Sequence, residues 1–201
     1  MNNNYRTMKE LMSESEGCYG SFELGKGTDK DTTHTYADTY QKIFMDHMPR
    51  VEPIRILEVG IYGGFSLLVW RGWLKSREID YQIYGLDIDL SRFCANTGFD
   101  LNVSAFVCDS RSEKDFSRMN LGKFSLIIDD GSHLLEDQLS TKNNLFQYLI
   151  EGGVYVVEDV MTNEVGAFGA DINVLMNEGN TYDNNLAIFF NNKKEGETND
   201  Q

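Results

Sequence analysis

Two short acidic runs carry most of the chemistry legible in this chain: Asp129-Asp130-Gly131-Ser132-His133 and, further on, Glu158-Asp159. Carboxylates gathered at one place repel one another unless something cationic lies among them. Oxygen donors with no cysteine nearby suit a hard divalent ion such as magnesium, manganese or calcium better than zinc. His133 is the only histidine near these acids. Its unperturbed pKa lies near neutrality, so it can serve as a general base. Taken singly, each acid also reads as a helix cap and His133 as a satisfied loop histidine. Together they read as a site.

A second set of candidates surrounds the turn Glu58-Val59-Gly60-Ile61-Tyr62-Gly63-Gly64. Glycine lets a backbone turn tightly and approach a ligand closely. A helix opening at the last glycines points its positive end at whatever is bound. A dinucleotide fingerprint reads Gly-x-Gly-x-x-Gly. Here Glu58 stands at the first glycine position, which fits a nucleoside carrying an amino acid better than a pyrophosphate. The turn nominates Glu58, Gly60, Tyr62, Gly64 and Ser66 as cofactor contacts, against the plainer reading of a glycine-rich bend. Asp87 lies about two dozen residues beyond Gly64, near the ~20-residue spacing at which a carboxylate meets ribose hydroxyls. Asp89 reads as a helix cap. Asp109, followed by Ser110, either accepts from an adenine amino group or caps the next helix. Asp129 completes the cofactor-side candidates.

One architecture would bring these residues together. Five short runs, residues 55–59, 82–86, 104–108, 124–128 and 154–157, are β-branched or aromatic and bounded by Gly, Asp or Asn, as buried strands are. Residues 65–73 and 136–150 lie between strands and have helical spacing, the second stretch stopping at Gly152-Gly153. Residues 39–48 predict a helix before the first strand. Residues 187–190 read as a last strand, and 172–176 as either type. The alternation predicts an α/β, Rossmann-like fold with a mostly parallel central sheet and helices on both faces. In such sheets ligands bind beyond the carboxyl ends of the strands, which is where the candidates fall.

The totals narrow the function classes. The 201 residues suit one domain able to bury a proper core: an N-terminal helical or flap segment (1–50), a ligand-binding domain (51–190) and a flexible tail (191–201). A net charge of −14 with no basic cluster argues against nucleic acid and against anionic membrane as partners. It favours a small-molecule acceptor, and leaves self-association into a homo-oligomer open. Three cysteines, Cys18, Cys94 and Cys108, without metal spacing fit a reduced, cytoplasmic chain. No stretch has the length of a transmembrane helix.

The run Lys26-Gly27-Thr28-Asp29-Lys30, then His34-Thr35-Tyr36 and Tyr40, joins Leu57-Glu58-Val59-Gly60, Gly85-Leu86-Asp87-Ile88, Asp129 to His133, and Val157-Glu158-Asp159 in one pattern. Over residues 25–159 it resembles the metal-dependent sugar O-methyltransferases of macrolide tailoring, the mycinamicin type, within the class I S-adenosylmethionine-dependent methyltransferases. The resemblance implies S-adenosylmethionine as methyl donor, Mg2+ or Mn2+ as cofactor, and a hydroxyl of a sugar or other small molecule as acceptor. It implies Asp130, Glu158 and Asp159 as metal ligands, with Asp130 and His133 catalytic and His133 as base. Thr28 and Tyr36 become donor contacts on a flap. Little sequence follows Asp159, and the longer N-terminal extensions of that family are missing, so the acceptor does not transfer. Two other readings compete: a nicotinamide-dependent oxidoreductase on a similar sheet, and a non-catalytic binding module that kept the fold.

Overall fold

The computed structural model describes residues 5–14, 28, 30, 34–93, 100–175 and 184–192. Five parallel strands form the body of one seven-stranded sheet: β1 (Ile54–Val59), β2 (Tyr81–Asp87), β3 (Val103–Val107), β4 (Phe124–Asp129) and β5 (Leu149–Val157). β7 (Asn185–Phe190) runs antiparallel to β5, and β6 (Ile172–Leu175) antiparallel to β7, giving the order β3-β2-β1-β4-β5-β7-β6. The α/β class with a mostly parallel sheet is thus as the sequence predicts. The order reverses at β1, whose neighbours are β2 and β4. That is the topological switch where a crevice opens above the strand ends.

Buried strands lie on both sides of the switch. All six residues of β4 are buried, as are the last five of β5. Such runs are legible because a strand covered on both faces is apolar without alternation. The helices are α1 (Met8–Glu14), α2 (Ala37–Asp46), α3 (Phe65–Lys75), α4 (Glu113–Met119) and α5 (Leu135–Leu145). α1, α2 and α3 share one core with a face of the sheet. In it Trp70 meets Tyr40 edge-on with ring centres 5.1 Å apart, and Trp73 meets Phe44 at 4.5 Å. Such pairs add about 0.5–1.5 kcal/mol beyond the area they bury. The N-terminal segment is therefore fastened to the sheet by aromatic packing.

Two boundaries differ from expectation. The helix predicted over 136–150 ends at Leu145, and a single 3-10 turn, Phe146–Tyr148, leads straight into β5. Gly152-Gly153 does not stop a helix; it lies inside the strand. Between Phe124↔Leu149 and Leu126↔Val154 the register shifts, so β5 bulges there. Gly152 takes φ +74°, and a Cβ on Gly153 would come within 2.9 Å of the Ile150 carbonyl oxygen, so the glycines serve the bulge. Residues 172–175 resolve as strand, and α1 has no counterpart among the predicted elements. Cys108 is free and buried. Cys18, Cys94 and most of the predicted tail lie outside the described residues. Among the described residues no helix is long and apolar enough to cross a membrane.

Candidate active site

The strand ends line a cavity of about 470 Å³. Thr28, Gly60, Tyr62, Ser66, Asp87, Asp109, Ser110, Asp129, Asp130, His133 and Asp159 all contribute to its wall, so most of the predicted site residues are brought together. Gly64 is not in that wall, and neither are Glu58, Tyr36 and Glu158. The last three are buried behind it.

On the glycine side, Gly60 follows β1 with φ +79°, and its amide donates to the Leu86 carbonyl (2.8 Å). A Cβ there would stand 1.9 Å from the Asp130 carbonyl oxygen. The glycine is thus required by the close approach of the β1 and β4 loops as well as by its torsion. Gly60→Ala is expected to push those loops apart. It should cost stability by about 1–3 kcal/mol and abolish ligand binding at the cavity; chemical denaturation with a binding titration checks both. Asp87 accepts from the amides of Tyr62 (2.9 Å) and Asp89 (3.1 Å), one on each oxygen. Each oxygen keeps a lone pair for a further donor. Asp89 caps no described helix; it accepts from the Ser91 amide and hydroxyl. Nor does Asp109 cap α4, a role taken by Ser112. Asp109 is instead gripped by the Arg111 guanidinium at 2.9 and 3.0 Å, and Arg111 also reaches Asp137.

On the acidic side a lysine lies at the centre. Lys30, only 2% exposed, places its ammonium 2.5 Å from Glu158, 2.7 Å from Asp130 and 3.3 Å from Glu58. Two tyrosines stand behind the same acids: Tyr40 donates to Glu158 Oε1, and Tyr36 donates to Asp159 Oδ1 (2.7 Å). Tyr36, expected at the donor, therefore orients a carboxylate from behind. Glu58, expected at the cofactor, faces Lys30. Gln138 on α5 donates to the Glu158 carbonyl (2.9 Å).

His133 bridges the remaining pair, with Nε2 3.3 Å from Asp130 Oδ1 and Nδ1 3.4 Å from Asp159 Oδ2. His133 (φ 58°), Asp159 (φ 54°) and Tyr62 (φ 45°) are three of five described non-glycine residues with positive φ. Strain of that kind persists where the surroundings fix a functional geometry.

One ammonium cannot neutralise three carboxylates. Burial raises Glu58 and Glu158 above the ordinary carboxyl range, with Lys30 only partly offsetting it. Burial pushes the same way at Asp130, but there Lys30 and His133 outweigh it and hold the group low. Burial, then repulsion from Asp130, lifts Asp159 to about 6 and Asp129 to about 7. His133 is pushed up to about 9, chiefly by its hydrogen bond to Asp130 and against the opposing effect of burial.

Two acidic triads have donor atoms within 4.8 Å of one another: Asp130, His133 and Asp159, and Glu58, Asp130 and Glu158. The first opens on the cavity and offers two carboxylates, hard oxygen donors, beside one imidazole, and the carboxylates fit a divalent cation. The predicted set Asp130, Glu158, Asp159 is divided between the two triads. Lys30, Tyr40 and Gln138 were not among the sequence candidates. Lys30 had one signal, since buried acids at neighbouring strand ends demand a cation and a lysine satisfies that demand as well as a metal does.

The chain matches the sequence model of a family described as "Methyltransferase domain" over residues 57–160. It is 33% identical over 151 residues to the 8-demethyl-8-alpha-L-rhamnosyl tetracenomycin-C 2'-O-methyltransferase of Streptomyces olivaceus, covering 72% of this chain and 38% of that protein. It is 31% identical over 146 residues to the mycinamicin VI 2''-O-methyltransferase of Micromonospora griseorubida, covering 68% of this chain and 34% of that protein. The chain thus spans little more than a third of the length of these relatives. Among solved structures it resembles the MycE methyltransferase from the mycinamycin biosynthetic pathway in complex with Mg, SAH and mycinamycin VI. The TM-score is 0.59 at 26% identity, over 83% of this chain and 43% of that one.

Proposed function

The chain belongs to the methyltransferase-domain family, and from that premise we propose that it is an S-adenosylmethionine-dependent O-methyltransferase. On this reading it acts on a hydroxyl of a sugar or other small molecule, with the help of Mg2+ or Mn2+. The observation that carries the reading is the convergence of a nucleoside-type pocket and a carboxylate–histidine cluster in one cavity. The relatives support it: those above are named as O-methyltransferases of a rhamnosyl tetracenomycin and of mycinamicin VI, and one similar structure holds Mg and SAH.

Asp87 would receive the ribose hydroxyls on the lone pairs its loop amides leave free. Gly60 and Tyr62 would shape the turn beneath, with Gly64 and Ser66 opening α3. Asp109 and Ser110 would flank the adenine, and Thr28 would lie over the donor. Asp129, deep in the wall, would close the cavity behind it. Asp130 and Asp159 would hold the divalent ion, with Glu158 reaching it through lone pairs not committed to Lys30 and Tyr40. When bound, the ion supplies Lewis-acid polarisation of an acceptor hydroxyl. His133 would accept the proton that hydroxyl loses as its oxygen takes the methyl group from the donor's sulfonium. The cavity wall supplies the alignment of oxygen, methyl and sulfur.

The test is a calorimetric titration with S-adenosylhomocysteine, with NAD as the control ligand. Binding of the first alone is expected. Asp87→Ala should weaken it by about tenfold or more, since hydrogen bonds to a charged acceptor contribute roughly 1.5–3 kcal/mol. Binding of NAD instead would replace this reading by the oxidoreductase one, and binding of neither would favour a non-catalytic module.

A further inference from the structure

Asp130 is common to both acidic triads. A carboxylate shared between two ligand sets is how two-metal sites are built, with the ions about 3.5–4 Å apart. Here the inner set, Glu58, Asp130 and Glu158, already surrounds the Lys30 ammonium at 3.3, 2.7 and 2.5 Å. The outer set lies on the cavity side, where Asp130 and Asp159 stand on either side of His133; Lys30 reaches only Asp130 of these, through Oδ2, and His34 lies 3.5 Å from Asp159 Oδ1. We propose that Lys30 is the resident cation of a two-cation site: its ammonium takes the inner position permanently and leaves the outer position as the one exchangeable divalent site.

Three features of the geometry follow from that role. Lys30 holds Asp130 Oδ2, so that Oδ1 turns toward His133 and the cavity. It holds Glu158 Oε2 while Tyr40 holds Oε1, which seats that carboxylate from two sides. It also ties the chain just before α2 to the ends of β1, β4 and β5, because the Tyr36 amide donates to the Lys30 carbonyl (2.9 Å) and the Tyr36 hydroxyl to Asp159. Lys30 is thus a positioning residue for both the outer site and the start of α2 at Tyr36. An ammonium has no vacant coordination position and cannot polarise a hydroxyl as a metal does, so this arrangement confines metal chemistry to the cavity side.

The inference rests on the metal-assisted reading only for the outer ion, and the test separates the two. Wild type, Lys30→Met and Lys30→Arg are titrated with Mn2+, read by calorimetry and electron paramagnetic resonance, and each is melted with and without the ion. Wild type is expected to bind one Mn2+. K30M is expected to bind two, spin-coupled through the shared Asp130. Without metal it should melt about 10 °C or more below wild type, since stranding buried charges is strongly destabilising. Mn2+ should restore most of that loss. K30R should keep the wild-type stoichiometry. Should wild type bind no ion while K30M binds one and is rescued by it, the metal-assisted reading falls and the role of Lys30 stands. Two coupled ions in wild type would overturn the proposal. So would a K30M with wild-type stoichiometry and no rescue, or one that stays unfolded at every Mn2+ concentration.

Discussion

Replacing His133 by alanine is expected to lower kcat by about 10²–10⁴-fold, the usual contribution of a positioned general base, while S-adenosylhomocysteine binds as before. The ring is placed for proton transfer. It sits in the cavity wall, is held by Asp130 at 3.3 Å and Asp159 at 3.4 Å, and projects from a loop residue at φ 58°. The same carboxylates push its pKa up to about 9, so without a competing cation the imidazole keeps its proton at neutral pH. A cation bound to Asp130 and Asp159 removes that cause and frees a nitrogen to accept. A base works only when deprotonated, so the wild-type rate should rise with pH through this ionisation, and the rise should vanish in His133→Ala. Steady-state kinetics over pH, beside Mn2+ binding to the same variant, decide the matter. If Mn2+ affinity falls in step with kcat, His133 is a metal ligand and the base lies elsewhere.

The strand ends were legible in the sequence because buried parallel strands are short apolar runs with abrupt polar ends. Asp87, Asp109, Asp129 and Asp159 all stand at such ends, and each reaches the cavity. Less legible was anything decided by distant contacts. Lys30 meets Glu158 across 128 positions of chain, and a lysine in a polar run of Gly, Thr and Asp carries no local sign of burial. Tyr36 and Tyr40 look alike in sequence, yet one meets Asp159 and the other Glu158 because α2 packs on Trp70. The glycine pair at 152–153 misled because Gly-Gly after a helical stretch signals a stop as readily as a bulge, and only the pairing of β5 with β4 decides between them. At Asp109 only the cap reading fails, since Ser112 caps α4, and Arg111, two residues on, gives the carboxylate a partner that no local pattern marks.

The divided metal set makes Asp159 the sharpest place to separate function from stability. Asp159→Asn is nearly isosteric, and asparagine tolerates the φ of 54° found there. It also keeps an oxygen to accept from the Tyr36 hydroxyl. What it removes is charge. The Asp159 carboxyl is raised from 3.8 to about 6 by burial first and Asp130 second, so the folded chain binds this proton more tightly than the unfolded chain does. By linkage, the group's contribution to stability falls as pH rises from about 4 to about 6, and stays reduced above that. The metal-free variant is therefore expected to be at least as stable as wild type at pH 7, with the difference closing below pH 4. Its Mn2+ affinity should drop by at least about 100-fold, since even outer partners of metal ligands account for 10–100-fold, and turnover should drop with it. Melting curves across pH and an Mn2+ titration of the same samples read both effects. A functional residue that makes the fold less stable is retained for its chemistry. If Asp159→Asn instead melts lower and binds Mn2+ as wild type does, Asp159 is a structural acceptor for Tyr36 and is not one of the carboxylates that hold the ion.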